Sequence, residues 1–248
     1  MQDTETRDPA EVEKFSRMAA DWWDPEGSAK PLHLLNPCRL DYIREQLVAE
    51  YGRDFKSLRP LEGLEILDIG CGGGLVSEPL CRMGAKVTGI DAAGESIPIA
   101  AQHAMEQGLE ITYRQAAAED LVTEGLTFDA VVCLEVIEHV SDPAALLKAA
   151  TSLLKPGAPL IMSTLNRTSK SYGAAILGAE VLLRWLPKGT HDWRRFVTPE
   201  ELYALMEAAG LEPLDTIGFR FDPLRLSWHL SDSDISVNYA ATARRPHL

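Results

Sequence analysis

The most constraining stretch of the 248-residue chain is EILDIGCGGG, Glu65 to Gly74. A β-prone run ends at Ile69. Gly70, Gly72 and Gly74 then space a G-x-G-x-G turn ahead of a helical pattern, LVSEPLCRM. Glycines at a strand-to-helix turn allow positive φ and let a ligand lie directly against the main chain. AKVTGID, EITYRQ, FDAVVCL and APLIMSTL continue the rhythm, separated by helical patterns near GESIPIAAQHAMEQG and DPAALLKAATSLLKPG. Such alternation predicts an α/β fold, a mostly parallel sheet with helices on both faces. LEPLDTIGFRF and ISVNYAATARR close the sheet as a sixth and seventh strand. The helix in DPAALLKAATSLLKPG has clean ends: Ser141 or Asp142 can cap it, Pro143 suits its first turn, and Lys155-Pro156-Gly157 stops it. Upstream lie a short helix in EVEKFSRMAADWW, a Pro/Gly-rich loop (DPEGSAKPLHLLNP) and a helix near RLDYIREQLVAEYG. The pattern predicts one domain over 1–248, with an N-terminal helical extension (1–60) and an insertion (166–196) after the fifth strand.

Three ligands compete for the glycine loop. A phosphate-binding P-loop ends in G-K-[ST], whereas this loop continues Gly-Leu-Val, so that reading fails. A dinucleotide fold wants G-x-G-x-x-G, and Leu75 stands where the last glycine falls. The third is S-adenosylmethionine: a strand ending in an acid, GCGGG, and a second acid closing the next strand make the pattern of Rossmann-like class I methyltransferases. That second acid is Asp91 in VTGID, placed to accept from both ribose hydroxyls. One position departs from the commonest version of that pattern. AAAEDL carries Ala117 where an Asp often sits beside the adenine amine, which leaves backbone groups near Ala118 and Glu119 for that task.

Composition narrows the partners. With 24 basic against 37 acidic side chains and a formal charge of −13, the chain is poorly suited to nucleic acid, which calls for clustered Lys and Arg. The acidic opening, MQDTETRDPAEVEK, lacks the features of a signal peptide, and no stretch approaches the roughly 20 apolar residues of a membrane span. Cys38, Cys71, Cys81 and Cys133 show no C-x-x-C spacing, and free thiols fit the reducing cytoplasm. The insertion is the exception in charge. It holds Arg167, Lys170, Arg184, Lys188, Arg194 and Arg195 against only Glu180 and Asp192, around the apolar run AAILGAEVLLRWL. Either this run packs on the sheet, or it dips into an anionic membrane surface while its basic ends hold headgroups.

LEVIEHV, Leu134 to Val140, crowds two carboxylates and an imidazole behind the fourth strand. Glu135, Glu138 and His139 are candidate ligands for a divalent ion such as magnesium or zinc. Glu135 or His139 is alternatively a lone base, and the stretch can also be plain loop. Methyl transfer to oxygen is an in-line displacement, so position and acceptor ionisation are what a protein can supply. A base or a bound cation both serve a phenol, whose pKa is about 10. His191 in KGTHDW is a further candidate base, and Trp22 and Trp23 either roof the pocket or pack a helix.

From FSRMAADWWDPEGSAKPLHLLNPCRLDYI, through DIGCGGGLVSEPL, VTGID, LEVIEHV and STLNRTSKSY, to PKGTHDWRRFVTPEEL, the chain resembles the ubiquinone-biosynthesis O-methyltransferases. The glycine loop alone would only say methyltransferase; WWD, KPLH, NPCRL and KGTHDWRRF are the specific part. The resemblance implies S-adenosylmethionine-dependent methylation of two phenolic hydroxyls on polyprenylated intermediates, a 2-polyprenyl-6-hydroxyphenol and a 3-demethylubiquinol. It implies that Arg39 pairs with the methionine carboxylate, that Gly70 and Gly72 face the cofactor, that Asp91 holds the ribose and that Leu134 lines the pocket. Glu135, Glu138 and His139 resemble divalent-ion ligands of the family's eukaryotic branch. A peripheral position on the inner face of the membrane, beside other ubiquinone-biosynthesis enzymes, is the matching expectation. Two other classes stay in view: a nicotinamide-dependent oxidoreductase, and a non-catalytic module that binds cofactor or lipid and assembles partner enzymes.

Overall fold

The computed structural model describes residues 6–27, 29–173 and 192–247. Its strands are β1 (Glu65–Ile69), β2 (Lys86–Asp91), β3 (Thr112–Gln115), β4 (Ala130–Leu134), β5 (Pro159–Leu165), β6 (Glu212–Asp222), β7 (Ser227–Ser231) and β8 (Asn238–Arg244). They form one sheet in the order β3-β2-β1-β4-β5-β8-β6-β7. β1 to β5 pair in parallel, β8 enters antiparallel between β5 and β6, and β7 pairs antiparallel with β6 at the edge. The strand order reverses between β1 and β4, so a crevice opens beyond their carboxyl ends. Ligands of open α/β sheets bind at such a switch point.

One strand more is present than the seven expected. β6 runs on to Asp222, and Gly218–Asp222 then pair with Ser227–Ser231 through a short turn. The SWHLS run alternates polar and apolar, with Trp228 and Leu230 packed on the second buried cluster, but its five residues are too short to stand out as a strand in the sequence.

Alternation inside the central strands sets the layers. In β4, Val131 and Cys133 join one buried cluster while Ala130, Val132 and Leu134 join the other. In β1, Leu67 and Ile69 face the first cluster and Ile66 the second. Period-two side chains on a sheet buried on both faces give this division directly. The first face is covered by α5 (Ala118–Thr123), α6 (Pro143–Ser152) and α8 (Pro199–Ala208), which supply Leu121, Leu146, Leu147, Leu202 and Met206. The second is covered by α2 (Lys30–Glu50) and α3 (Ser77–Arg82), through Tyr42, Ile43, Leu47 and Leu80. Three further helical segments complete the described fold: α1 (Pro9–Met18), α4 (Ser96–Glu106) and a single turn, α7 (Ser169–Ser171).

Local chemistry explains several helix starts. Asp142 caps α6 by accepting from Ala145 N at 3.0 Å, with Pro143 following it. Thr198 and Glu201 form a capping box on α8, and Asp8 precedes Pro9 at the start of α1. α2 differs from expectation. It begins at Lys30 and takes in KPLHLLNP, expected as loop, with Pro37 inside the helix. An internal proline forfeits one backbone hydrogen bond. Here the burial of Leu35, Cys38 and Arg39 on either side keeps the helix continuous. Among the described residues, no helix is long and apolar enough to cross a membrane.

Candidate active site

β1 delivers the glycine loop to the crevice. Gly70 has φ +74 and Gly72 φ +52, a region that costs an ordinary residue about 1 kcal/mol or more. Both positions are also crowded. A Cβ on Gly70 would strike the Val136 side chain, and one on Gly72 would meet the Trp22 ring at 2.6 Å. Glycine therefore brings two other segments, LEVIEHV and the N-terminal extension, onto the loop. Gly70 N and Cys71 N donate to Ile90 O at 2.8 and 3.0 Å, which fastens the loop to β2.

At the end of β2, Asp91 holds the loop from the other side. Its Oδ2 accepts from Gly72 N at 2.8 Å and its Oδ1 from Ala93 N at 2.7 Å. Burial raises its pKa against the pull of those two amides. Each carboxylate oxygen keeps a further lone-pair site, so the same group can also accept from ribose hydroxyls.

On the second sheet face, beside Ile66, Asp68 is 2% exposed and accepts from Ser77 Oγ at 2.6 Å. Burial pushes its pKa up to about 7, against the Ser77 bond and the Arg39 charge. Arg39 itself is 4% exposed. One of its terminal nitrogens donates to Asn36 Oδ1 at 3.1 Å, while Nε is buried without a hydrogen-bond partner. Burial lowers its pKa, opposed by the carboxylates of Glu135 and Asp68. A desolvated guanidinium with an unused donor calls for an anionic partner.

These groups share a cavity of about 230 Å³, lined among others by Arg39, Gly70, Asp91, Leu134, Glu135 and His139. The pieces fit the nucleoside-plus-amino-acid shape of S-adenosylmethionine: a cation for the carboxylate, bare main chain, and an acid for the ribose. Ala117 N donates to Asp120 Oδ2 and the Glu119 side chain accepts from Thr6, while Ala116, Ala117 and Ala118 line the cavity. Leu75 is buried against Trp22 and Ala29, in the place a dinucleotide loop reserves for glycine.

LEVIEHV does not behave as one unit. Glu135 has φ +55, its Oε1 accepts from Ser163 Oγ at 2.8 Å, and it lines the cavity. Ile137–His139 form a 3₁₀ turn. Glu138, 3% exposed, points inward, where Oε2 accepts from Thr164 Oγ1 at 2.9 Å and Oε1 has no partner. Burial, and the Glu135 carboxylate beside it, push its pKa up to about 8. His139 points elsewhere: its Nδ1 meets Glu11 Oε2 at 2.7 Å and its ring packs edge-on against Phe15. The expected ion-ligand set Glu135, Glu138 and His139 is therefore not assembled. Among the described residues, no group of three His, Cys, Asp or Glu side chains is placed to hold a metal ion. The reason is the 3₁₀ turn over Ile137–His139, which swings the neighbours Glu138 and His139 about 120° apart. Glu138 turns toward Thr164 and His139 toward Glu11.

The N-terminal extension supplies groups that sequence reasoning passed over as a polar leader. Thr6 donates through N and Oγ1 to Glu119, each at 2.9 Å. Burial opposes ionisation of Glu11, but the bonds to His139 and Lys14 outweigh it and hold its pKa at about 2. Arg195 reaches Asp8 at 3.1 Å and Val140 O at 2.8 Å, so the end of the insertion ties α1 to LEVIEHV. The only advance signal was the helix-start pattern DPAEVEK. Trp22 lies on Gly72 and donates to Ser96 Oγ at 3.1 Å, roofing the loop. His191 and most of the insertion, 174–191, lie outside the described residues.

Comparison with known proteins agrees with this arrangement. A family model described as a methyltransferase domain matches residues 40–216. The chain is 57% identical over 246 residues to a ubiquinone biosynthesis O-methyltransferase of Cereibacter sphaeroides, covering 99% of this chain and 100% of that one. It is 58% identical over 243 residues to its namesake in Dinoroseobacter shibae, covering 98% of each. In fold it is similar to magnesium protoporphyrin IX methyltransferase from Synechocystis PCC 6803 with bound S-adenosylmethionine. That match has a TM-score of 0.62 at 19% identity, over 98% of this chain and 100% of the other. A S-adenosylmethionine-dependent methyltransferase from Clostridium acetobutylicum gives 0.63 at 15% identity, over 94% and 98%.

Proposed function

The chain belongs to the family of ubiquinone biosynthesis O-methyltransferases, and on that premise we propose that it methylates phenolic hydroxyls of polyprenylated ubiquinone precursors, with S-adenosylmethionine as donor. The observation that carries the donor is the pairing of Arg39, buried with an unused Nε, and Asp91 across one glycine-lined cavity. When bound, the donor supplies a sulfonium methyl to an attacking oxygen. Arg39 holds the carboxylate, Asp91 the ribose hydroxyls, and Gly70 lines the cavity, while Gly72, covered by Trp22, gives its amide to Asp91. Leu134, at the end of β4, forms part of the wall.

The acceptor has to lose its proton as oxygen attacks. His139 lines the cavity, with Nδ1 on the Glu11 carboxylate. A carboxylate at Nδ1 fixes the orientation of the ring and stabilises the imidazolium formed when it takes a proton. We assign His139 the base, with Glu11 orienting the ring and steadying the imidazolium. A positioned base is typically worth ~10²–10⁴-fold. Glu135, fixed by Ser163, adds negative charge to the same wall. No step is routed through a divalent ion, because its expected ligands point apart.

A polyprenyl tail keeps such a substrate at a membrane, so the enzyme works at that surface, beside other enzymes of the route. The segment 166–196 supports this by composition, net basic in a chain of formal charge −13. Its described cations are partnered, Arg167 with Glu201, Lys170 with Asp234 and Arg194 with Asp192. That leaves Arg184 and Lys188 to test: Arg184→Glu with Lys188→Glu should reduce flotation with phosphatidylglycerol vesicles, and unchanged flotation removes the segment from the interface.

The decisive experiment incubates the protein with S-adenosylmethionine and a short-chain catechol analogue and reads the product by mass spectrometry. A single added methyl on oxygen is expected. Binding of S-adenosylhomocysteine with no methylated product would leave a cofactor-binding module instead.

A further inference from the structure

Outside the reacting centre, a closed ring of contacts surrounds the back of the glycine loop. Trp23 Nε1 donates to Gly73 O at 2.9 Å. The Trp23 ring stacks on His103 with 3.5 Å between centroids and 9° between planes. His103 Nδ1 meets Glu78 Oε1 at 2.6 Å, and Glu78 is 3% exposed. The ring closes on the loop, since Glu78 N donates to Gly74 O at 3.0 Å. The Trp23 end of the bridge holds Gly73 O, and at the other end the Glu78 main chain takes Gly74 O as the first bond of the helix that follows.

The bridge spans three elements. Trp23 comes from the N-terminal extension, Glu78 from α3 directly after the glycine loop, and His103 from α4, which follows Asp91. A trans peptide is rigid, so fixing a carbonyl fixes the amide across the same bond. Holding Gly73 O fixes Gly74 N, which closes the turn onto Cys71 O at 2.9 Å. That turn in turn places Gly72 N on Asp91. The path from Trp23 to Asp91 runs through the main chain alone.

We propose that Trp23, His103 and Glu78 are positioning residues for the donor: they hold the glycine loop in its ligand-ready turn without touching the reacting atoms. Docking of the N-terminal extension and binding of the donor are then linked, because one indole both anchors the extension and pins the loop. The proposal rests on the methyltransferase reading. Trp23→Phe keeps an aromatic ring for the stack and deletes only the N–H donor. A neutral hydrogen bond contributes ~0.5–1.5 kcal/mol, so the Kd for S-adenosylhomocysteine and the KM for S-adenosylmethionine should rise about five-fold. Turnover at saturating donor should stay within about two-fold of the parent, since nothing at the acceptor end changes. His103→Phe, which keeps a ring against Trp23 but drops the Glu78 bond, should act in the same direction. His103→Gln should retain a bond to Glu78 and lose the stack.

Calorimetry with S-adenosylhomocysteine, steady-state kinetics and a melting curve are run on the full chain. If the parent does not bind S-adenosylhomocysteine, the methyltransferase reading fails first. If the parent binds and Trp23→Phe binds equally well, the reading stands and the positioning proposal falls. A fall in turnover matching the rise in KM, with a lowered melting temperature, would make the ring ordinary packing and also overturn it. A rise in KM alone, in Trp23→Phe and again in His103→Phe, is the result expected.

Discussion

Arg39→Met separates binding from folding. The guanidinium is 4% exposed, has Asn36 as its hydrogen-bond partner and leaves Nε unused. If that donor serves a methionine carboxylate, its loss removes a charge-assisted hydrogen bond of ~1.5–3 kcal/mol, or roughly ten- to a hundredfold in affinity. Folding should suffer less. Methionine fills much of the same space, and Asp68, already pushed up to about 7, can take a proton when the cation leaves. Two ligands make the test specific: S-adenosylhomocysteine, and 5′-deoxy-5′-methylthioadenosine, which has the same nucleoside but no amino-acid carboxylate. The substitution should weaken the first by ten- to a hundredfold in calorimetry and leave the second within about three-fold. Equal losses for both ligands would mean that Arg39 supports the pocket generally, and no loss for either would remove it from the site.

Asp91→Ala should weaken S-adenosylhomocysteine binding about ten- to a hundredfold, while Asp91→Asn, which keeps one oxygen for Gly72 or Ala93, should lose less; identical affinities by calorimetry would refute the ribose role. Glu11 is held from its ordinary 4.5 down to about 2. Its contribution is present above pH ~4.5 and lost as pH falls toward 2, so urea midpoints of the parent and Glu11→Gln should converge at low pH and differ at pH 7. Glu138 works in the opposite sense. Its pKa is raised to about 8, so the folded state binds the extra proton and stability drops as pH climbs from ~4.5 to 8. Glu138→Gln should flatten that slope, and an unchanged slope in denaturant titrations would discharge Glu138 from the effect.

Much of the frame was legible because its signals are local. The β1 turn, Asp91 and the cap of α6 each depend on residues within a few positions of one another, and each stands where expected. α2 was legible only in part. KPLHLLNP reads as loop because Pro31, Pro37 and Asn36 are breakers, and what overrides them is burial of Leu35, Cys38 and Arg39. β7 was missed for a different reason: SWHLS does alternate, with Trp228 and Leu230 packed on the second cluster, but five residues at the sheet edge make a weak signal.

The site was legible as a set of residue types and illegible as a geometry. Sequence spacing offered Glu135, Glu138 and His139 two arrangements, helical or extended, and in a helical turn all three share a face. The backbone adopts neither. A left-handed Glu135 breaks the chain direction as it leaves β4, and the 3₁₀ turn that follows repeats every three residues. Glu138 is carried toward Thr164, where burial favours its protonated form. His139 lands on the opposite side, facing a carboxylate 128 positions away in sequence. A separation of that length leaves no mark in local pattern, so Glu11 could be read as the start of a short helix but not as the partner of His139. Yet Glu11 fixes the orientation of the imidazole, and Arg195, from the end of the insertion, holds Asp8 of the same segment. The acceptor end of the pocket is therefore built from three distant parts of the chain. The donor end takes Gly70 and Asp91 from one strand–turn–helix and its neighbouring strand, with Arg39 added from α2. That is why the donor could be inferred from motifs, whereas the choice of His139 among the candidate bases needed the folded structure.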